Sequence, residues 1–217
     1  MASTFVLGTY TYSIMLRYAV TSRALYSGDE HEKQAALLRQ TSRWIADGID
    51  VIQLREKDLS AAEVATLARS IVKTIELAPS HTKLLINSRC DIAIATCSQG
   101  VHLTSAPGEL TPSQVRRLYA SAGLGAPVVT VSCHTLDDVA RAREQLVDAI
   151  LFGPVFEKIL VDQEAISGQG LNQLHAVCTI ALPIPVYALG GVTLENASSC
   201  LKAGASGIAG IRLFHRS

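Results

Sequence analysis

The sequence predicts a compact (β/α)8 barrel, an α/β fold in which parallel strands alternate with helices. Three observations predict it. Short apolar runs recur eight times along the 217 residues, and segments of helical period separate them. Most runs are apolar at both alternate positions, as parallel strands covered on both faces are. Eight such repeats in a chain of this length fit a closed barrel. A doubly wound open sheet is the alternative, because sequence alone does not show strand order.

The expected strands are Arg17–Thr21, Val51–Leu54, Lys83–Asn87, Val101–Leu103, Val128–Ser132, Ala149–Phe152, Val186–Leu189 and Gly207–Ile211. Helix signals fall between them. Gly48 stands where the first helix should end. Ser60 with Glu63 forms a capping box, followed by the stripe Val64, Leu67, Ala68, Ile71 and Ile75 at the 3.6-residue period. Thr111, Pro112 and Gln114 combine an N-cap, a proline at the first helical position and a second box. Thr135 and Thr193 read as N-caps after the fifth and seventh strands, and Gly204 as a helix end. The chain ends at Ser217, soon after the eighth strand, so a full eighth helix is not expected. Residues before Arg17, or a second subunit in a homo-oligomer, would then cover that side. Residues 1–15 read as an N-terminal extension and 16–217 as one barrel domain, with Met15 an alternative start.

Composition excludes several function classes. Nineteen Lys and Arg against nineteen Asp and Glu leave no basic excess for nucleic acid or an acidic membrane. With 48% hydrophobic residues and no net charge, disorder is excluded as well. Residues 1–16 lack the basic region of a signal peptide. The uncharged window Ala165–Leu194 is broken by Pro183, Pro185 and Gly190-Gly191, which a membrane helix would not tolerate together. Five cysteines without a CxxC pair read as reduced, structural thiols of a cytoplasmic protein.

In such barrels the chemistry sits at the C-terminal ends of the strands. At the second strand, alternation puts Gln53, Arg55 and Lys57 on one side, away from Leu54 and Glu56. Two cations and an amide there suit a phosphorylated substrate. Asn87 ends the third strand. Ser132-Cys133-His134 ends the fifth, and His134 beside a helix N-terminus is a candidate proton carrier. The histidines show no HxH or HExxH spacing, so no metal site is expected from them. Gly190, Gly191 and Gly210 end strands seven and eight, where backbone amides can approach a phosphate, and Arg212 could add charge.

These residues lie in a succession that resembles the thiamine phosphate synthase/TenI family. It comprises VIQLREK at 51–57, LLINSRCDIAIA at 84–95, GVHL at 100–103, VSCHTLDDVARA at 131–142, ILFGPVFE at 150–157, GQGL at 168–171 and PVYALGGVTLENASSCLKAGASGIAGI at 185–211. The likeness runs from about Arg17 to Phe214. It implies a TIM barrel acting in thiamine biosynthesis. The synthase branch joins a hydroxymethylpyrimidine diphosphate to a thiazole phosphate and releases diphosphate. The TenI branch aromatises a carboxythiazole phosphate by proton transfer.

Departures from the family pattern bear on the branch. The synthase carries Asn-Asp after strand three, the Asp binding magnesium, where this chain has Asn87-Ser88. A second magnesium-binding Asp follows strand four, where Thr104-Ser105-Ala106-Pro107 has no carboxylate. The Pro-Thr-x-Thr-Lys loop after strand six is replaced by Phe156-Glu157-Lys158-Ile159-Leu160, with only Lys158 as a substitute. Against this, Gln53, Arg55, Lys57, Asn87 and Ser132 match synthase positions that contact the pyrimidine diphosphate. The resulting expectation is a metal-free tautomerase with His134 as the proton carrier, ahead of a synthase using magnesium. A non-catalytic phosphate-ligand-binding barrel is the third reading.

Overall fold

The computed structural model describes residues 15–106, 108–157 and 167–215. Apart from Met15, the expected N-terminal extension lies outside them, as do Pro107 and Lys158.

Eight strands close into one parallel barrel, each paired with its sequence neighbours and β1 with β8. They are β1 (Leu16–Val20), β2 (Val51–Leu54), β3 (Lys83–Asn87), β4 (Gly100–Leu103), β5 (Val128–Cys133), β6 (Ala149–Phe152), β7 (Val186–Leu189) and β8 (Gly207–Gly210). This closure removes the open-sheet alternative. Helices α1 (Glu30–Ala46), α2 (Ala61–Leu77), α3 (Cys90–Ala95), α4 (Pro112–Ser121), α5 (Leu136–Glu144), α6 (Gly170–Ala181) and α7 (Ala197–Lys202) follow strands one to seven.

Local chemistry accounts for the helix starts. Ser60–Glu63 and Thr111–Gln114 form the expected reciprocal boxes, and Thr135 makes one with Asp138. Asp29–Glu32 makes a fourth at α1, not anticipated from sequence. Each such cap contributes about 1 kcal/mol. At α7, assigned from Ala197, Thr193 caps the leading turn as expected: it trades hydrogen bonds with Asn196 in the pattern of the other boxes, and its carbonyl accepts the Ala197 N–H.

The core has two layers. The α2 stripe Val64, Leu67, Ala68, Ile71 and Ile75 is buried against the outward faces of β2 and β3. Inside the barrel, Tyr18, Val20, Val51, Leu85, Leu151, Tyr187 and Ala209 pack together. All five cysteines are free, and all but Cys97 are buried.

Among the described residues no helix follows β8. The segment 211–215 folds back on α1, where Trp44 Nε1 donates to the Phe214 carbonyl at 2.8 Å. His215 lies against Tyr26 and Trp44. Among the described residues no helix is long and apolar enough to cross a membrane.

Candidate active site

The C-terminal ends of the strands surround a cavity of about 850 Å³. It is lined by Gln53, Arg55 and Lys57 from β2 and its loop, by Asn87, and by Ser132 and His134 after β5. Gly190, Gly191, Gly210 and Arg212 line it from β7 and β8. The structure therefore brings every site residue singled out from sequence to one cavity.

Strand alternation places Gln53 inside the barrel, where its Nε2 donates to Asn87 Oδ1 at 2.8 Å. The strand then ends, and Thr21 Oγ1 accepts the Arg55 N–H at 2.9 Å. The next residues are fastened from behind. Arg23 is almost buried, and its guanidinium donates to both oxygens of Asp58 at 2.7 Å, to Glu56 at 3.1 Å and to Glu30 at 2.6 Å. Glu56 also accepts the Arg23 N–H. Lys57 thus sits between two carboxylates that a single arginine holds. The hydrogen bonds from Arg23 lower the Asp58 carboxyl to about 2, and those carboxylates in turn raise the guanidinium pKa.

His134 precedes α5. Its Nδ1 lies 2.6 Å from the Gly153 carbonyl, which only accepts, so Nδ1 carries a hydrogen there, and among the described residues Nε2 has no hydrogen-bond partner. Asp138 Oδ2 accepts the backbone N–H groups of both His134 and Thr135. The helix terminus beside His134 is therefore met by a full negative charge, which offsets the dipole effect expected there.

On the β7 side, Gly190 and Gly191 have φ of +89° and +63°. A Cβ on Gly190 would stand 2.6 Å from Pro154 Cα, and one on Gly191 2.7 Å from the Glu157 carbonyl oxygen. Only glycine fits this approach of two loops. The Gly190 carbonyl accepts from Phe156 N–H and that of Gly191 from Asn196 Nδ2. Because peptide units are planar and trans, the N–H groups of Gly191 and Val192 point away from those partners.

Two features escaped the sequence reading. The first is a carboxylate. The loop after β4 lacks one up to Pro107, but Glu109 lies two residues further on. Its Oε2 accepts from Ser88 Oγ at 2.8 Å and from the N–H and hydroxyl of Thr104 at 3.2 and 3.1 Å. Glu109 lines a recess of about 360 Å³ that shares Thr104, Ser105, Ala106 and Ser132 with the main cavity. Allowing a longer β4–α4 loop would have found it. The second is His102, read only as a non-ligand, which lines the cavity floor.

Among the described residues no group of three or more His, Cys, Asp or Glu converges as a metal cage. Magnesium is commonly held by one or two carboxylates together with water and substrate phosphates. Glu109 meets that minimum: only its Oε2 is hydrogen-bonded among the described residues.

The sequence pattern of the thiamine monophosphate synthase family matches residues 18–214. A thiamine-phosphate synthase of Albidiferax ferrireducens is 35% identical over 76% of this chain and 71% of its own. One from Caldanaerobacter subterraneus subsp. tengcongensis is 31% identical over 89% of this chain and 83% of its own. In fold, a thiamine phosphate pyrophosphorylase structure from Pyrococcus furiosus superposes with a TM-score of 0.71 at 23% identity, covering 92% of this chain and 86% of that one. With the family pattern spanning nearly the whole barrel and relatives of this identity, the chain belongs to the thiamine monophosphate synthase/TenI family of enzymes.

Proposed function

We propose that this protein is a thiamine-phosphate synthase, joining hydroxymethylpyrimidine diphosphate to thiazole phosphate with release of diphosphate. This reverses the order expected from sequence, which put the tautomerase first. The observation that supports the reading is that two cations and a set of glycines line different edges of one cavity. Arg55 and Lys57 stand on the β2 edge, and the glycine amides of β7 and β8 stand elsewhere on the ring. A reaction that joins two phosphorylated molecules uses both, although a carboxythiazole phosphate could also span them, its carboxylate on Arg55 and Lys57 and its phosphate on the glycines. The names of the relatives support the same branch.

In this reading Gln53, Asn87 and Ser132 hold the pyrimidine, and Arg55 and Lys57 hold its diphosphate. Gly190, Gly191 and Gly210 take the thiazole phosphate through backbone amides. As the bond to diphosphate breaks, negative charge gathers on the departing oxygens. Two cations at that edge lower that barrier more than they stabilise the bound substrate. The Arg23 clasp on Glu56 and Asp58 fastens the residues on either side of Lys57, which positions its backbone beside the cavity. Magnesium would neutralise part of the same charge, and Glu109 in the adjoining recess and Glu157 in the cavity lining are the carboxylates that would help hold it.

The tautomerase is the second reading, favoured by the free Nε2 of His134 at the cavity. Two variants separate the branches. The synthase reading predicts that Lys57→Ala abolishes thiamine phosphate formation while His134→Ala retains it. The tautomerase reading predicts that His134→Ala abolishes carboxythiazole phosphate isomerisation, a loss on the order of 100- to 10,000-fold.

A further inference from the structure

Beneath the cavity four polar side chains from three strands form a chain inside the barrel. Tyr18 on β1, Thr130 on β5 and His102 on β4 are all buried, with exposures of 0%, 1% and 2%. Tyr18 Oη lies 3.2 Å from Thr130 Oγ1, which lies 2.8 Å from His102 Nδ1. On the other side of the ring, His102 Nε2 lies 2.9 Å from Ser132 Oγ. Ser132 and the edge of His102 face the cavity. The tyrosine ring is steadied edge-on by Tyr187, with centroids 5.3 Å apart.

The direction of this chain follows from counting protons. Burial, with the nearby Arg55 charge adding to it, lowers the His102 pKa to about 3, so the ring is neutral and has one N–H to place. Burial likewise keeps the Tyr18 phenol protonated. Among the described residues, Tyr18 Oη reaches only Thr130 Oγ1 and, at 3.4 Å, His102 Nδ1. If Nδ1 carried the hydrogen, two hydroxyl hydrogens, those of Tyr18 and Thr130, would have only each other's oxygens to point at. One of them would be left buried without an acceptor, at a cost of about 1–3 kcal/mol. If Nδ1 is the acceptor, each buried hydrogen has a partner, whichever hydroxyl donates to it. Nε2 then carries the N–H and donates to Ser132 Oγ. The serine's own hydrogen is released toward the cavity.

We infer that Tyr18, Thr130 and His102 are positioning residues that fix Ser132 as a hydroxyl donor, so that this point of the cavity selects a hydrogen-bond acceptor on the ligand. On the synthase reading, on which this second half rests, that acceptor belongs to the pyrimidine diphosphate. The ring nitrogen that carries the hydrogen at His102 is thus Nε2, whereas at His134 Nδ1 donates to the Gly153 carbonyl.

The first half is tested on the free protein, without any substrate. Nitrogen-15 NMR of the histidine rings, with His102 assigned through His102→Gln, should show a single Nε2–H tautomer near neutral pH. An Nδ1–H tautomer for His102 would overturn the inference, whatever the enzyme's reaction. The paired variant Tyr18→Phe with Thr130→Val removes both hydroxyls facing Nδ1 at nearly constant volume. It should convert the single tautomer into a mixture, and retention of one pure Nε2–H form would show that these hydroxyls do not set it. The second half is tested with hydroxymethylpyrimidine diphosphate. The paired variant should bind it more weakly by the inverse of the remaining Nε2–H fraction, about two-fold for an even mixture, with affinity for thiazole phosphate unchanged. Equal loss for both ligands, or loss for neither, would contradict the selective role of Ser132. Failure of the wild type to bind the pyrimidine diphosphate would remove the synthase reading and leave the tautomer result standing.

Discussion

Ser88 and Glu109 meet at the barrel rim, the serine hydroxyl donating to Glu109 Oε2 at 2.8 Å. One residue stands where the family places a magnesium-binding aspartate, and the other supplies a carboxylate from the following loop. The pair makes the site less depleted of hard oxygen ligands than the linear sequence suggests.

A prediction follows for the metal. With no group of three or more ligands converging among the described residues, the free protein should show no sub-millimolar magnesium binding by calorimetry. In the synthase assay, Glu109→Gln preserves the acceptor for Ser88 and Thr104 but removes the charge. The magnesium concentration for half-maximal rate should rise about 10- to 100-fold, the usual range for altered metal-site groups. An unchanged magnesium requirement would place the metal elsewhere.

The Arg23 clasp makes a second prediction. Arg23→Met leaves Glu56 buried without its cation, a loss of about 3–5 kcal/mol in unfolding experiments. Because Lys57 lies between the clasped residues, affinity for inorganic diphosphate should fall as well. Arg23→Lys, which keeps charge but not the forked geometry, should fall between the two. Wild-type diphosphate affinity in a folded Arg23→Met protein would show that the clasp serves stability alone.

Gly191 can be compared with Gly123. Both have positive φ, +63° and +71°, but a Cβ on Gly123 meets nothing within 4 Å. Gly123→Ala should therefore cost only the conformational penalty of about 1–2 kcal/mol. Gly191→Ala adds the collision with Phe156 and Glu157, and should also weaken thiazole phosphate binding. Equal effects of the two substitutions on binding would argue against a phosphate cradle at Gly191.

Acid sensitivity should trace to His102. Its folded pKa of about 3 lies below the ordinary value of 6.5. Between those values the unfolded chain binds a proton that the folded one does not, so stability falls as the pH drops through this window. The slope from this group is at most about 1.4 kcal/mol per pH unit. Urea unfolding from pH 7 to pH 4 should give a flatter profile for His102→Gln than for the wild type. Parallel profiles would mean other groups set the acid limit.

The legible parts of this protein were those set by local chemistry. Strand positions followed from short doubly apolar runs, and the boxes at Ser60 and Thr111 follow from spacing within four residues. Gln53, Arg55 and Lys57 could be assigned to one side because a strand alternates strictly, and the fold rule then sent that side to the cavity. What escaped depends on partners distant in sequence. Arg23 meets acids 33 and 35 positions away, and the His102 chain joins Tyr18 to Thr130 across 112 positions. Glu109 was missed because the β4–α4 loop carries its carboxylate further along than the family spacing. Thr193 is legible for the same local reason as Ser60 and Thr111, since its partner Asn196 lies three residues on.

The most direct measurement supplies the wild-type protein with hydroxymethylpyrimidine diphosphate, thiazole phosphate and magnesium, and follows thiamine phosphate and released diphosphate together. The account predicts stoichiometric formation of both, abolished by Lys57→Ala and retained in His134→Ala. No thiamine phosphate from the wild type, with carboxythiazole phosphate isomerised instead and that activity lost in His134→Ala, would contradict it and establish the tautomerase.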